Sequence, residues 1–306
     1  MMEKIALGTR GSALARAQTY LVEKAIHAAR PELRIEMKII ATKGDSAKVV
    51  DVRAGRKGLF TAEIERALLA GDVDLAVHSA KDLPSEINRG AEIAAVLPRA
   101  KTDDMLISKH SGGLAGLPNG ATVATGSVRR TRQLHCRRPD LQVVDLRGNV
   151  PTRLRKLAEN NWDAMVLARA GLERLGLSLA RNEINFDGRQ FFVEILSREI
   201  FLPAGGQGII ALQIRSDDES SREIVDPIND RDTLLCLRAE REFLGLLQGD
   251  CQSPVGVLAE MENGKMKLHA QIFEHGSALP REGEVVGAHD DGEHLAAQLL
   301  KEINGE

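Results

Sequence analysis

Between positions 129 and 156 the chain carries nine basic residues against two acids, although its net charge is -3. The basic residues are Arg129, Arg130, Arg132, Arg137, Arg138, Arg147, Arg153, Arg155 and Lys156; the acids are Asp140 and Asp145. Arginine dominates, and its planar fork grips a carboxylate or phosphate through two parallel hydrogen bonds. A local block of one sign in a slightly acidic chain points to a pocket for a ligand bearing several negative charges. Nucleic-acid binding would instead ask for a basic domain or stripe. An aromatic content of 3% also argues against a base-stacking surface. For any single arginine the alternative is a solvated helix face.

Five further segments carry possible chemistry. Leu7-Gly8-Thr9-Arg10-Gly11-Ser12 and Ala124-Thr125-Gly126-Ser127-Val128-Arg129-Arg130 each set glycine, a hydroxyl and arginine where a strand meets a helix. Free N–H groups and the positive helix end make such a junction an anion site, although each alone also reads as a capping turn with a stray arginine. Arg147-Gly148-Asn149 follows a third strand in the same way. In Val77-His78-Ser79-Ala80-Lys81-Asp82-Leu83-Pro84 an apolar strand ends in a hydroxyl, a cation and a carboxylate. Asp82 there could steady a cationic species or move a proton; a surface loop is the alternative. Cys251 sits in a loop between Gly249 and Pro254, where a thiol is accessible for attachment, whereas Cys136 and Cys236 fall in helical patterns. Three cysteines without ligand spacing suggest neither a disulfide framework nor a metal site.

The elements that must position these residues alternate as in an α/β protein. Strands are expected over 4–8, 34–40, 73–78, 92–97, 122–125, 142–146, 164–168 and 208–214. Helices are expected over 12–29, 59–70, 129–137, 150–160 and 231–247. Breaks near Pro98 and Pro203 read as crossings between two lobes, the first lobe taking back the strand over 208–214. After Gly249 two strands around Asn263-Gly264 and a helix over 293–303 read as a small α+β domain. No internal repeat is visible. With 306 residues, 43% hydrophobic content and no apolar run near the roughly 18 residues of a membrane span, a cytoplasmic protein without membrane contact is expected.

These segments together resemble the porphobilinogen deaminase (hydroxymethylbilane synthase) family over essentially the whole chain. The carrying motifs, in order, are GTRGSALARAQ from Gly8, ATKGD from Ala41, RKGLFTAEIE from Arg56 and HSAKDLPSE from His78. They continue with ATGSVRRTRQL from Ala124, DLRGNVPTRLRKL from Asp145, LARAGLERLGL from Leu167, LPAGGQGIIALQIR from Leu202 and GDCQSPVG from Gly249. Three positions depart from the family pattern: Asp250 stands where a second glycine is usual, Arg56 replaces a glycine, and Pro151 follows RGNV.

The resemblance implies two lobes like those of type II periplasmic binding proteins, joined by a hinge, with a C-terminal α+β domain. The divisions are 1–98 with 198–216, then 99–197, then 217–306. It implies a transferase of porphyrin and haem biosynthesis that condenses four porphobilinogen molecules into the linear tetrapyrrole hydroxymethylbilane, releasing ammonia at each addition. The chain would grow on a dipyrromethane cofactor held by a thioether to Cys251. Asp82 is implied as the catalytic carboxylate, stabilising the cationic species formed when ammonia leaves, and as a cofactor contact. Lys81, Ser127, Arg129, Arg130 and Arg147 are implied as cofactor ligands; Arg10, Ser12, Arg153, Arg174 and Phe60 as substrate contacts. No metal and no nucleic acid are implied, and a monomer is expected. The rival reading is a non-catalytic carboxylate-binding protein of the same two-lobe fold.

Overall fold

The computed structural model describes residues 3–42, 61–177, 182–247, 254–274 and 276–306. The first sheet gathers β1 (Lys4–Thr9), β2 (Arg34–Ile39), β3 (Leu75–Ser79) and β4 (Ala91–Val96), with helix α1 (Ala13–Ala29) after β1 and α2 (Ala62–Leu69) before β3. The second is built from β5 (Asp104–Ser108), β6 (Thr122–Ala124), β7 (Gln142–Val144), β8 (Ala164–Ala168), β9 (Glu183–Phe186) and β10 (Arg189–Ile195). Its helices are α3 (Val128–Arg137), α4 (Val150–Glu159) and α5 (Arg169–Arg174). The chain then returns to the first sheet as β11 (Ile210–Arg215).

The two sheets share one plan. The first has the order β2-β1-β3-β11-β4 and the second β7-β6-β8-β5-β10, extended by β9. In each, three parallel strands are followed by one antiparallel strand, β11 or β5, which adjoins an interlobe crossing. A repeat invisible in the residues is therefore present in the topology. It makes β1–α1 and β6–α3 equivalent places, and these are the two look-alike junctions of the sequence.

Burial explains the sheets. Leu7, Leu75 and Leu212 are fully buried in the first lobe, as are Ile107, Val123 and Val166 in the second, each aliphatic side chain contributing about 1.5–3 kcal/mol. α6 (Glu219–Val225) packs on the first sheet through Ile224 and Val225. The C-terminal domain pairs α7 (Arg231–Leu246) and α8 (Gly292–Asn304) against the antiparallel β12 (Val255–Glu262), β13 (Lys265–Ile272) and β14 (Arg281–Ala288). Two sheet-rich α/β lobes and a small C-terminal sheet-and-helix domain are the architecture the sequence led us to expect. β5, β9, β10, α5, α6 and β14 were not among the expected elements. β5 starts on a buried aspartate, which hides it from an apolar-run criterion. Among the described residues no helix is long and apolar enough to cross a membrane.

The crossings between lobes, residues 97–103 and 196–209, are fastened to each other. Ala100 N donates to Gly208 O at 3.1 Å and Leu97 N to Ile210 O at 3.2 Å. Arg99 donates through Nε to Gln207 O (3.0 Å) and through Nη1 to the fully buried Glu240 of α7 (2.6 Å) and to Ala259 O (3.2 Å). Glu240 also accepts from Gly206 N and Ala259 N, so one ion pair ties both crossings to the third domain. Removing one partner of a buried pair leaves an uncompensated charge. Arg99→Leu should therefore cost about 3–5 kcal/mol in urea unfolding; a change below about 1 kcal/mol, the scale of an exposed pair, would contradict this account.

Candidate functional site

Each junction is shaped by its cap. Ser12 precedes α1 in extended conformation and its Oγ accepts from Ala15 N at 3.3 Å. Ser127 does the same for α3, accepting from Arg130 N at 3.4 Å. Asn149 caps α4 by accepting from Thr152 N, with Pro151 in the first turn, where its missing N–H goes unneeded. Capping uses the serine oxygens as acceptors and leaves each hydroxyl proton to donate. Neither α1 nor α3 has an acid in its first turn, so the positive helix ends are not neutralised locally.

The end of β3 is held from below. His78 is buried, with Nε2 3.1 Å from Gln213 Oε1, and Gln213 Nε2 donates to Glu65 on α2. That arrangement assigns the proton to His78 Nε2. Burial, with a smaller push from Arg10, lowers the His78 pKa to about 4, so the ring is neutral near pH 7 and acts as a prop. Ser79 pairs with Gln18 of α1 at 2.8 Å. Ala80–Asp82 then form a single 3-10 turn, whose Ala80 N donates to Ile209 O. Gly206 presses on this turn at φ +73°: a Cβ there would lie 2.9 Å from Lys81 N. A cleft with about 410 Å³ of empty space opens beside the turn, lined by Arg10, Ser12, Gln18, Thr61, Ser79 and Asp82 among others.

Further cations gather around the turn. Arg129 and Arg130 project inward from α3 and are only 4% and 6% exposed. Both pair with Asp104, the first residue of β5: Arg129 Nη1 to Oδ2 at 2.9 Å and Arg130 Nη2 to Oδ1 at 2.6 Å. Burial by itself would raise the Asp104 pKa, but the two guanidinium charges and the hydrogen bonds from Arg130 and Gln207 hold it far below the usual carboxylate range. Burial lowers the Arg129 pKa against the pull of Asp104. Lys81 is half-buried and donates to Gln207 Oε1 at 3.4 Å. Burial first, then the charges of Arg130 and Arg129, push its pKa down to about 8, against Asp82 and Asp104. Arg153 donates to Gly148 O and is also lowered, by burial and then by Arg130, while Asp82 and Asp145 oppose.

The structure thus brings Arg10, Ser12, Lys81, Asp82, Arg129, Arg130 and Arg153 to one region, with Ser127 at the start of α3. Arg147 is exposed and paired with Asp145 at 2.6 Å. Arg174 donates to Gly208 O on the return crossing, and burial lowers its pKa to about 10. Phe60 and Cys251 lie outside the described residues. The basic block is therefore not one lining. Arg138 is spent on Asp140 and on the carbonyls of Leu114, Leu117 and Pro118, and Lys156 holds Arg147 O. Sequence reading missed Asp104 and Gln207; the aspartate opening the Met105–Ser108 run just after the Pro98 break was the available signal.

Fold and site define a two-lobed α/β protein with a cation-rich cleft around a lysine–aspartate turn. Residues 5–223 match the family profile "Porphobilinogen deaminase, dipyromethane cofactor binding domain" and residues 234–304 match "Porphobilinogen deaminase, C-terminal domain". The porphobilinogen deaminase of Roseiflexus sp. (strain RS-1) is 42% identical over 304 residues, 99% of this chain and 96% of that protein. That of Syntrophomonas wolfei subsp. wolfei is 45% identical over 274 residues, 89% and 85% of the two chains. Among solved structures, the methionine binding protein MetQ is a distant likeness, with TM-score 0.45 and 13% identity over 76% of this chain and 92% of its own. The chain belongs to the porphobilinogen deaminase family, a family of transferases, and carries that family's dipyrromethane cofactor-binding domain.

Lys81 offers a direct check on the electrostatics. Its acylation by acetic anhydride, followed by peptide mass spectrometry across pH, should have a midpoint near 8 in the chain without bound ligand. A midpoint at the ordinary lysine value of about 10.4 would contradict the desolvated, cation-flanked setting.

Proposed function

We propose that this chain joins four porphobilinogen molecules head to tail into hydroxymethylbilane, on a dipyrromethane bound through a thioether to Cys251. Each addition breaks the aminomethyl C–N bond of one substrate, the nitrogen leaving as ammonia. The observation that carries this reading is the Lys81–Asp82 turn: a carboxylate on the cleft beside cations that outnumber it. Every pyrrole of this type brings two carboxylates, and a cation surplus out of water attracts them far more strongly than exposed charges would.

The donor set fits the cofactor. Arg129 Nε and Arg130 Nε are buried donors without an acceptor among the described residues, and Lys81 adds a further cation from the turn itself. When bound, the dipyrromethane supplies the free pyrrole position to which units are added. Lys81, Arg129 and Arg130, with the Ser127 hydroxyl, would hold its acetate and propionate groups. Arg10, Ser12 and Arg153 would take those of the incoming substrate. Asp82 would accept from pyrrole N–H groups and balance the positive charge that develops as ammonia departs, a fixed group needing no reorganisation at that moment. Arg147 would join only by exchanging Asp145 for a ligand, and Arg174 would act from the return crossing. Phe60 would pack near the rings. In this reading the lobes divide near residues 98 and 197, the C-terminal domain carries the cofactor cysteine, and the enzyme works as a cytoplasmic monomer.

Incubation with porphobilinogen should release ammonia and yield a linear tetrapyrrole. Intact mass should show a dipyrromethane adduct that Cys251→Ser abolishes; a bare chain consuming no substrate would overturn the reading. Asp82→Asn should keep the adduct and lose about 10²–10³-fold in turnover, and near-normal turnover would remove Asp82 from the chemistry.

A further inference from the structure

The cations of the cleft cannot hold themselves in place. Arg129 and Arg130 are neighbours in sequence, both buried, and Lys81 lies within the field of both. Like charges so placed repel, and apart from Asp104 the arginines meet only neutral acceptors: Arg129 donates to Gln133 Oε1 and Leu202 O, and Arg130 to Val166 O. Asp104 is fully buried and takes one guanidinium on each carboxylate oxygen, at 2.9 and 2.6 Å. It is itself oriented by Gln207, whose Nε2 donates to Asp104 Oδ1 at 2.8 Å and to Thr102 O at 2.7 Å. The same amide accepts from Lys81 through Oε1. A chain of polar contacts thus runs from the lysine of the first lobe, through the return crossing, to the arginines of the second.

We propose that Asp104, oriented by Gln207, is the positioning residue of this site: it fixes the guanidinium groups of Arg129 and Arg130 side by side and, through the Gln207 amide, ties them to Lys81. It touches no reacting atom in this role. Among the described residues, the charged groups around Lys81 are Asp82 on its own turn, Arg129 and Arg130 on α3, and Asp104 on β5; Gln207 is the polar contact from the return crossing. Among them Asp104 is the acid that also binds both arginines. The inference rests on the proposed function only in taking these cations as ligand-binding groups.

Asp104→Asn is nearly isosteric and still offers an acceptor to Gln207, so it removes the charge with little change of shape. The test is the pH midpoint of Lys81 acylation, compared with the unsubstituted chain at the same cofactor loading as read by intact mass. We expect the midpoint to fall by about one pH unit, a tenfold loss of proton affinity. KM for porphobilinogen should rise more than kcat falls, and Asp104→Glu should restore part of both. An unmoved midpoint overturns the proposal. So does an upward shift toward the exposed lysine value, the mark of a loosened site in which Asp104 served packing alone. If Asp104→Asn does not fold, Gln207→Met carries the same test. It keeps the carboxylate but removes the amide that orients it and contacts Lys81, so the midpoint should again fall, and an unmoved or raised one overturns the proposal. Because the acylation readout needs no turnover, its failure is separate from a failure of the enzymatic reading, which shows as no ammonia and no adduct.

Discussion

Withdrawing several cations from water is costly, and in the second-lobe half of this cleft a fixed, buried carboxylate offsets part of that cost. Asp104 is the counter-charge. Its own ionisation would be unfavourable at a fully buried position without the two guanidinium groups, and theirs would be unfavourable without it. The balance is incomplete in electrostatic terms: Asp104 and Asp82 face Arg129, Arg130, Lys81 and Arg153, and the remaining positive potential is what an anionic ligand meets. Salt screens such a site weakly, because the charges sit away from bulk solvent.

How much of this was legible follows from sequence distance. Ser12, Ser127 and Asn149 could be read because a helix cap is a local event, settled within three or four residues. The α/β alternation and the small C-terminal domain were legible for the same reason. The basic block was legible as composition but not as geometry. In α3 the inward face is Arg129, Arg130, Gln133 and Leu134, while Arg138 turns to loop carbonyls and Arg147 to Asp145. Gln207 and Asp104 meet across 103 positions and Arg99 and Glu240 across 141. No local pattern announces such pairs. Asp104 also breaks the apolar rule for a strand start, which hides β5 together with its most informative residue.

The two lobes use one plan for different ends. On the first, the β1–α1 junction and the end of β3 contribute Arg10, Ser12, Lys81 and Asp82 to one wall. On the second, the equivalent β6–α3 junction contributes Ser127 and the arginine pair. A glycine at 206 lets the return crossing lie against the Lys81 turn without a side chain between them. Relative placement of the walls is thereby set by backbone contacts at the crossings and by the ion pair to Glu240, rather than by the lobes' own cores.

β11 lies between β3 and β4, so the first sheet cannot close until residue 215 has been made. A nascent chain leaving the ribosome would expose two apolar strand edges throughout synthesis of the entire second lobe. Exposed edges of that kind invite pairing with other chains. The topology that builds the cleft therefore also sets a period of vulnerability to aggregation, which ends only when the last central strand slots into its gap.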